Sequence, residues 1–151
     1  MDVKRIIAES YLAAGFTDEF MDRVAAISEI RQFGDGESIV HEDDETADLM
    51  ILAEGKAEIV RITGDTIAYI KPNMPFGEVA FLDHKRRSSS VIAKGDCKVV
   101  VIPEEPLREM LRAEPEMAVR ALINLSSLLC ERLRKANQQI AALNAIEEFQ
   151  R

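Results

Sequence analysis

Six glycines, at positions 34, 36, 55, 64, 77 and 95, divide the stretch from Ile30 to Ile102 into short pieces rich in β-branched residues. The pieces read SIV, LMILA, AEIVRI, TIAYI, SVIA and KVVVI. Such residues fit a pleated surface, and glycine punctuation supplies the turns between strands. Glu54-Gly55 and Gly64-Asp65 stand where tight hairpin turns are expected. Many short strands with regular turn signals point to an antiparallel barrel or roll, closed so that its edges stay short.

Helical patterns flank this block. Residues 2–14 and 17–28 read as two short helices separated by Gly15, with Thr17 or Asp18 as the second N-cap. Phe20, Val24 and Ile27 recur at helical spacing in the second. Pro103 closes the last strand, Pro106 suits a helix first turn, and LREMLR continues that helix towards Pro115. From Glu116 to about Phe149 neither Pro nor Gly interrupts the chain. Leu122, Leu125, Leu129, Leu133, Ala136, Ile140 and Leu143 form an apolar stripe there, with one slip between Leu129 and Ala136. A stripe that long is expected to touch the roll with its first half and to pair with its copy in a homodimer. The expected class is α+β: an antiparallel β-roll or jelly-roll (double-stranded β-helix) with N-terminal helices and a long C-terminal helix. One domain over residues 1–151 is expected, with helices in 1–29, the roll in 30–102 and helices in 103–151.

Charge narrows the function. The 151-residue chain carries a formal charge of −8, with a pI near 4.9. General nucleic-acid binding needs a clustered surplus of Lys and Arg, which this balance lacks. A small anion held in one local cationic pocket remains compatible with it. The N-terminus MDVKRIIAES is unlike a secretory signal, and no apolar run reaches membrane-spanning length. Cys97 and Cys130 are isolated, so reduced cysteines in or near the core of a cytoplasmic protein are expected. HEDDETAD (41–48) lacks EF-hand spacing, and His41 and His84 form no HxH pair, so no metal is expected. Ser88 to Ser90 have no readable base beside them, so no catalysis is expected.

One stretch concentrates anion-binding chemistry: FGEVAFLDHKRRSSSVIA, residues 76–93. Gly77 lacks a Cβ, so a ligand can approach the main chain. EVAFL is expected to form a single helical turn whose unpaired N–H groups face a phosphate. Arg87 supplies a planar fork for phosphate oxygens and Ser88 a further donor. Glu78, an acceptor when ionised, is better matched to sugar hydroxyls. Lys85 and Arg86 are expected to face solvent.

These residues closely resemble the phosphate-binding cassette of the cyclic nucleotide-binding domain family. Phe76, Gly77, Glu78, Val79 and Ala80 match its opening, Phe81 replaces the usual Leu, and Arg87-Ser88 fall on its Arg-Ser/Thr positions. FGDGESIVHEDDETADLMILAEGKAEIV is similar to the family's first strands. PEEPLREMLRAEPEMAVRALINLSSLLCERLRKAN is similar to the C-terminal helices of bacterial regulators like the catabolite activator. The resemblance implies a cyclic nucleotide ligand, cAMP ahead of cGMP. It implies that Glu78 takes the ribose 2′-hydroxyl and Arg87 the exocyclic phosphate oxygen, with Gly77, Ser88 and neighbouring amides completing the cradle. Ser89 stands where Ala is usual.

In catabolite-activator-like members a Thr-Ser pair on the long helix meets the base, and counting from Arg132-Leu133 it falls on Ala136-Asn137. Ala136 cannot hydrogen-bond, so Asn137 is the base-side candidate. The residues up to Arg151 contain no helix-turn-helix pattern, so no DNA binding by the chain itself is expected. The expected function is a stand-alone cyclic nucleotide sensor in which ligand binding moves a dimerising C-terminal helix, with a protein partner as a possible receiver. The alternative is a dimerising interaction module with a vestigial or other-anion pocket.

Overall fold

A computed structural model describes residues 1–151. Two short helices, α1 (Val3–Glu9) and α2 (Asp18–Ile27), open the chain. Six strands follow: β1 (Glu29–Phe33), β2 (Ser38–Val40), β3 (Leu49–Val60), β4 (Thr66–Ile70), β5 (Pro75–Phe76) and β6 (Ser90–Ile102). The short helix α3 (Glu78–Asp83) lies between β5 and β6, and α4 (Glu104–Ala113) and α5 (Pro115–Gln150) end the chain. The helix starts follow local chemistry. The Thr17 hydroxyl accepts from the Phe20 N–H at 3.2 Å to cap α2, and Pro115 occupies the first turn of α5, where its missing N–H costs nothing.

All strands pair antiparallel in one sheet of order β1-β6-β3-β4, with β2 added to β6 and β5 to β3. The long strands β3 and β6 lie side by side, Leu49 opposite Ile102 at one end and Val60 opposite Ser90 at the other. Each pairs with a different short strand on each half: β6 with β1 then β2, β3 with β5 then β4. This partition produces the jelly-roll-like β structure.

Period-two alternation then sorts the side chains into two cores. Leu49, Ile51, Val100 and Ile102 face a cluster shared with Ile7, Phe20 and Val24 of the N-terminal helices and Met117, Ala121 and Leu125 of α5. Met50, Leu52, Val99 and Val101 face the interior of the roll with Val40, Ile70, Phe76 and Val91. Both faces of these strand halves are buried, so they read as continuous apolar runs rather than as alternating ones. Burying a side chain such as Leu125 contributes about 1.5–3 kcal/mol.

Four expectations need correction. Glu54-Gly55 is not a hairpin turn: β3 runs straight through it, and the register shifts on either side of Glu54. Gly55, at φ +98°, is a bulge position where an added Cβ would collide with Cys97 and the Asp96 carbonyl. The hairpin turn that does form is at Gly64, between β3 and β4. The first helix is shorter than expected, ending at Glu9, where the Ser10 hydroxyl bonds back to the Ile7 carbonyl. Cys97 is buried but Cys130 is exposed. Finally, the residues of α5 that pack on the domain are Met117, Ala121, Leu125 and Leu128, while Leu122, Leu133, Ile140 and Leu143 are at least half exposed. From Leu133 onward every residue of α5 is exposed. No helix is long and apolar enough to cross a membrane.

Candidate functional site

The turn from β5 into α3 sets up the site. Gly77 adopts φ +78° and caps α3, with no side chain bonded to the first-turn amides. An L-residue strains in that conformation, and an added Cβ would lie 2.7 Å from Nη1 of Arg87 and 3.1 Å from the Asp48 carbonyl. His84, at φ 59°, ends α3 by donating its N–H to the Ala80 carbonyl at 3.0 Å. The loop that follows is clasped by the 42–46 segment. The Arg87 N–H donates to the Asp44 carbonyl, the Asp43 N–H donates to the Arg87 carbonyl, each at 2.9 Å, and the Glu42 N–H donates to Ser90 Oγ at 2.8 Å.

Arg87 is the centre of this arrangement, only 3% exposed. Its Nη1 donates to the Gly77 carbonyl and its Nη2 to the Asp48 carbonyl, both at 2.9 Å, and Nε donates to Thr46 Oγ1 at 3.3 Å. Three of the guanidinium's five N–H donors are thereby engaged, and two remain for an anion. Burial pushes its pKa down from the usual value, opposed by Asp48, Glu104, Asp44 and Glu78, and the group stays protonated.

Glu78 is 2% exposed, and its carboxylate pairs with Arg132, which reaches over from α5 and also donates to the Pro75 carbonyl at 3.3 Å. Removing one partner of such a pair leaves an uncompensated buried charge. Pro75, Glu78 and α5 are therefore held together by one guanidinium.

All eight cassette candidates, Phe76, Gly77, Glu78, Val79, Ala80, Arg87, Ser88 and Ser89, line one cavity of about 280 Å³. Val40, Ile59, Ile67 and Leu129 make its apolar walls. Arg61, Arg87 and Arg132 supply three cations against the single carboxylate of Glu78, a local reversal of the chain's acidic balance. A second cavity of about 550 Å³ adjoins it, sharing Ile59, Ile67 and Arg132 and running between β4 and α5. Ala136 lines this outer cavity, whereas Asn137 lines neither. Lys85 and Arg86 lie on a broad groove outside the loop, where Arg86 bonds to Glu45 and the Asp43 carbonyl. No group of three or more His, Cys, Asp or Glu side chains is arranged so that it could hold a metal ion.

Sequence reasoning missed Arg132 and Arg61. Arg132 served only as a landmark for counting along the helix, because nothing local to it announces a partner 54 residues away. A lone Arg on the face of an apolar stripe was the available signal.

Comparison with known proteins bears on the family and the fold. Residues 30–114, more than half of the chain, match the cyclic nucleotide-binding domain family model. The cyclic AMP receptor protein of Thermus thermophilus is 30% identical over 139 residues, which cover 89% of this chain and 62% of that protein. Glutaminase 2 of Bradyrhizobium diazoefficiens is 27% identical over 146 residues, 95% of this chain but 23% of that protein. The chain thus spans less than two thirds of either curated relative. The crystal structure of the Thermus thermophilus catabolite activator protein superposes with a TM-score of 0.72 at 29% identity, covering 89% of this chain and 63% of that one. Cassette residues around one cationic cavity, a jelly-roll-like sheet and a family match across the strands lead to one assignment: the chain belongs to the cyclic nucleotide-binding domain family.

Proposed function

We propose that the chain is a sensor for a 3′,5′-cyclic nucleotide, cAMP or cGMP, working as one unit over residues 1–151, and that ligand binding is coupled to the position of a dimerising α5. The observation that carries this reading is the convergence of Arg87, Glu78 and Arg132 on one cavity. The two free N–H donors of Arg87, with Ser88 and the α3 amides, take the phosphate. Glu78 accepts from the ribose 2′-hydroxyl. The same carboxylate bonds to Arg132, so sugar binding and the seating of α5 act on one group. A ligand that binds differently to two positions of α5 shifts their populations by that difference. No catalytic step is assigned to the site.

Dimerisation is supported by the exposed apolar residues of α5, among them Leu133 at 61% and Leu143 at 66% exposure. A second copy of the chain carries a matching stripe. Calorimetry with cAMP and with cGMP tests the reading: saturable binding of at least one is expected. Absence of both heat and thermal shift at millimolar ligand would end it. A second reading, a dimerising module whose pocket is vestigial or holds another anion, draws on one observation: Asn137 lines neither cavity. Cyclic nucleotide that copurifies with the protein, seen by absorbance and mass spectrometry, would exclude it.

A further inference from the structure

We propose that Arg61 is a second guanidinium for the ligand phosphate and that Glu42 competes with the phosphate for it, so that Glu42 sets the nucleotide concentration at which the sensor responds. This rests on the cyclic nucleotide reading above and concerns only the phosphate end. Three residues, Arg61, Arg87 and Ser88, line both the inner cavity and the broad groove outside the cassette loop, and so form the partition between the two. Arg87 is buried and tied to three oxygens of the chain. Arg61 is differently placed. Its backbone is fixed at the base of the β3–β4 hairpin, where its N–H donates to the Asp65 carbonyl at 3.0 Å and its carbonyl accepts from the Gly64 N–H at 2.8 Å. Its side chain is 54% exposed, and an exposed side chain changes rotamer quickly on such a root.

Glu42 is the fixed member of the pair. It lines the groove but not the inner cavity, and its side chain is only 12% exposed. Oε2 accepts from the Ile62 N–H at 3.3 Å, and Oε1 lies 2.7 Å from Arg61 Nε. That second contact is close but misaligned, so Oε1 is buried without a hydrogen-bond donor and Arg61 supplies it with charge alone. The contact uses Nε, which leaves both Nη groups of Arg61 for another acceptor. Phosphate oxygens match that planar fork better than a single misaligned carboxylate oxygen does. The other cations of the groove do not compete for this role. Lys85 and Arg86 line the groove alone, and Arg86 is already bonded to Glu45 and the Asp43 carbonyl. A phosphate held by Arg87 and Ser88 therefore draws Arg61 inward, and that turn leaves the nearly buried Glu42 carboxylate uncompensated. Glu42 opposes the ligand through Arg61, from outside the cavity.

The experiment is calorimetric titration of cAMP and of cGMP into the unaltered protein, Glu42→Gln, Arg61→Met, Arg61→Lys, and Glu42→Gln combined with Arg61→Met, each at low and at high salt. Gln keeps the shape of Glu42 and an oxygen for the Ile62 N–H, and Met keeps the apolar stem of Arg61. Glu42→Gln should tighten nucleotide binding about threefold to tenfold, and Arg61→Met should weaken it by about the same factor. Arg61→Lys, which keeps the charge without the fork, should weaken it less. The combined variant should bind like Arg61→Met alone, since Glu42 acts through Arg61. Added salt should weaken binding more steeply in Glu42→Gln than in Arg61→Met. Unchanged or weaker binding in Glu42→Gln, or affinity untouched by Arg61→Met, overturns the inference while the nucleotide reading stands. Tightening by Glu42→Gln that persists in the combined variant overturns the competition for Arg61. Failure of the unaltered protein to bind either nucleotide overturns both this inference and the reading beneath it.

Discussion

Replacing Gly77 by Ala should destabilise the fold by roughly 2–4 kcal/mol, and the figure can be worked from two terms. The first is conformational: Gly77 sits at φ +78°, where an L-residue loses about 1–2 kcal/mol. The second is contact. The new Cβ would stand 2.7 Å from Arg87 Nη1, and that guanidinium cannot retreat freely because it is tied to the Gly77 and Asp48 carbonyls and to Thr46. Weakening a buried hydrogen bond to a charged group costs about 1.5–3 kcal/mol. Against both terms, Ala stiffens the unfolded chain relative to Gly, worth about 0.4–1 kcal/mol.

Gly64→Ala isolates the first term. Gly64 has φ +90° with nothing within 4 Å of the added Cβ, so it should cost only about 0.5–1.5 kcal/mol. Thermal unfolding of both variants reads the difference, at about 2–4 °C per kcal/mol for a chain of this size. Cyclic nucleotide affinity should fall in Gly77→Ala and hold in Gly64→Ala. If Gly77→Ala is no worse than Gly64→Ala in either assay, the close approach of Arg87 to the cassette backbone is wrong as argued.

Arg132→Ala should lower stability by about 1–3 kcal/mol, because it strands the buried Glu78 carboxylate while water can enter where the partly exposed Arg132 stood. Adding Glu78→Gln should recover part of that loss, and strictly additive effects in urea unfolding would count against the pair. Leu133→Glu should convert a dimer to a monomer in sedimentation without lowering the unfolding temperature of the isolated domain, since Leu133 is 61% exposed. If the paired helices run parallel, mild oxidation should link the exposed Cys130 residues while buried Cys97 stays reduced; a monomeric unaltered protein refutes the interface. Glu58, held below its ordinary pKa of 4.5 by hydrogen bonds from Thr66 and Lys94, favours the fold when ionised. That contribution is complete above the unfolded value and is lost as pH falls through the lowered folded value. Glu58→Gln should therefore flatten the acid limb of the stability profile, and an unchanged limb would argue against it.

Much of this protein is written locally. Turn chemistry at Gly64, the cap at Thr17 and the proline at the start of α5 act within a few residues, so chain order alone determined them. The cassette is equally local: Phe76 to Ser89 bring a glycine turn, a one-turn helix, an arginine and hydroxyls into one cavity over a short span. Backbone dihedral preferences and side-chain period carry that information without help from distant residues.

Closure of the sheet decided the rest. A straight β3 with a bulge at Gly55 depends on where β6 runs beside it, which no turn propensity at Glu54-Gly55 records. The partners of Arg87 at Thr46 and Asp48, and the reach of Arg132 to Glu78, join segments some forty to fifty-four residues apart. Which apolar residues of α5 are covered, and that Cys130 is not, follows from how the helix lies on the sheet. The sequence alone determined the local helix starts, the Gly64 turn and the chemistry of the cassette. Tertiary packing chose which charges meet, because a buried ion pair forms only between groups that the closed sheet and the docked helix bring within bonding distance.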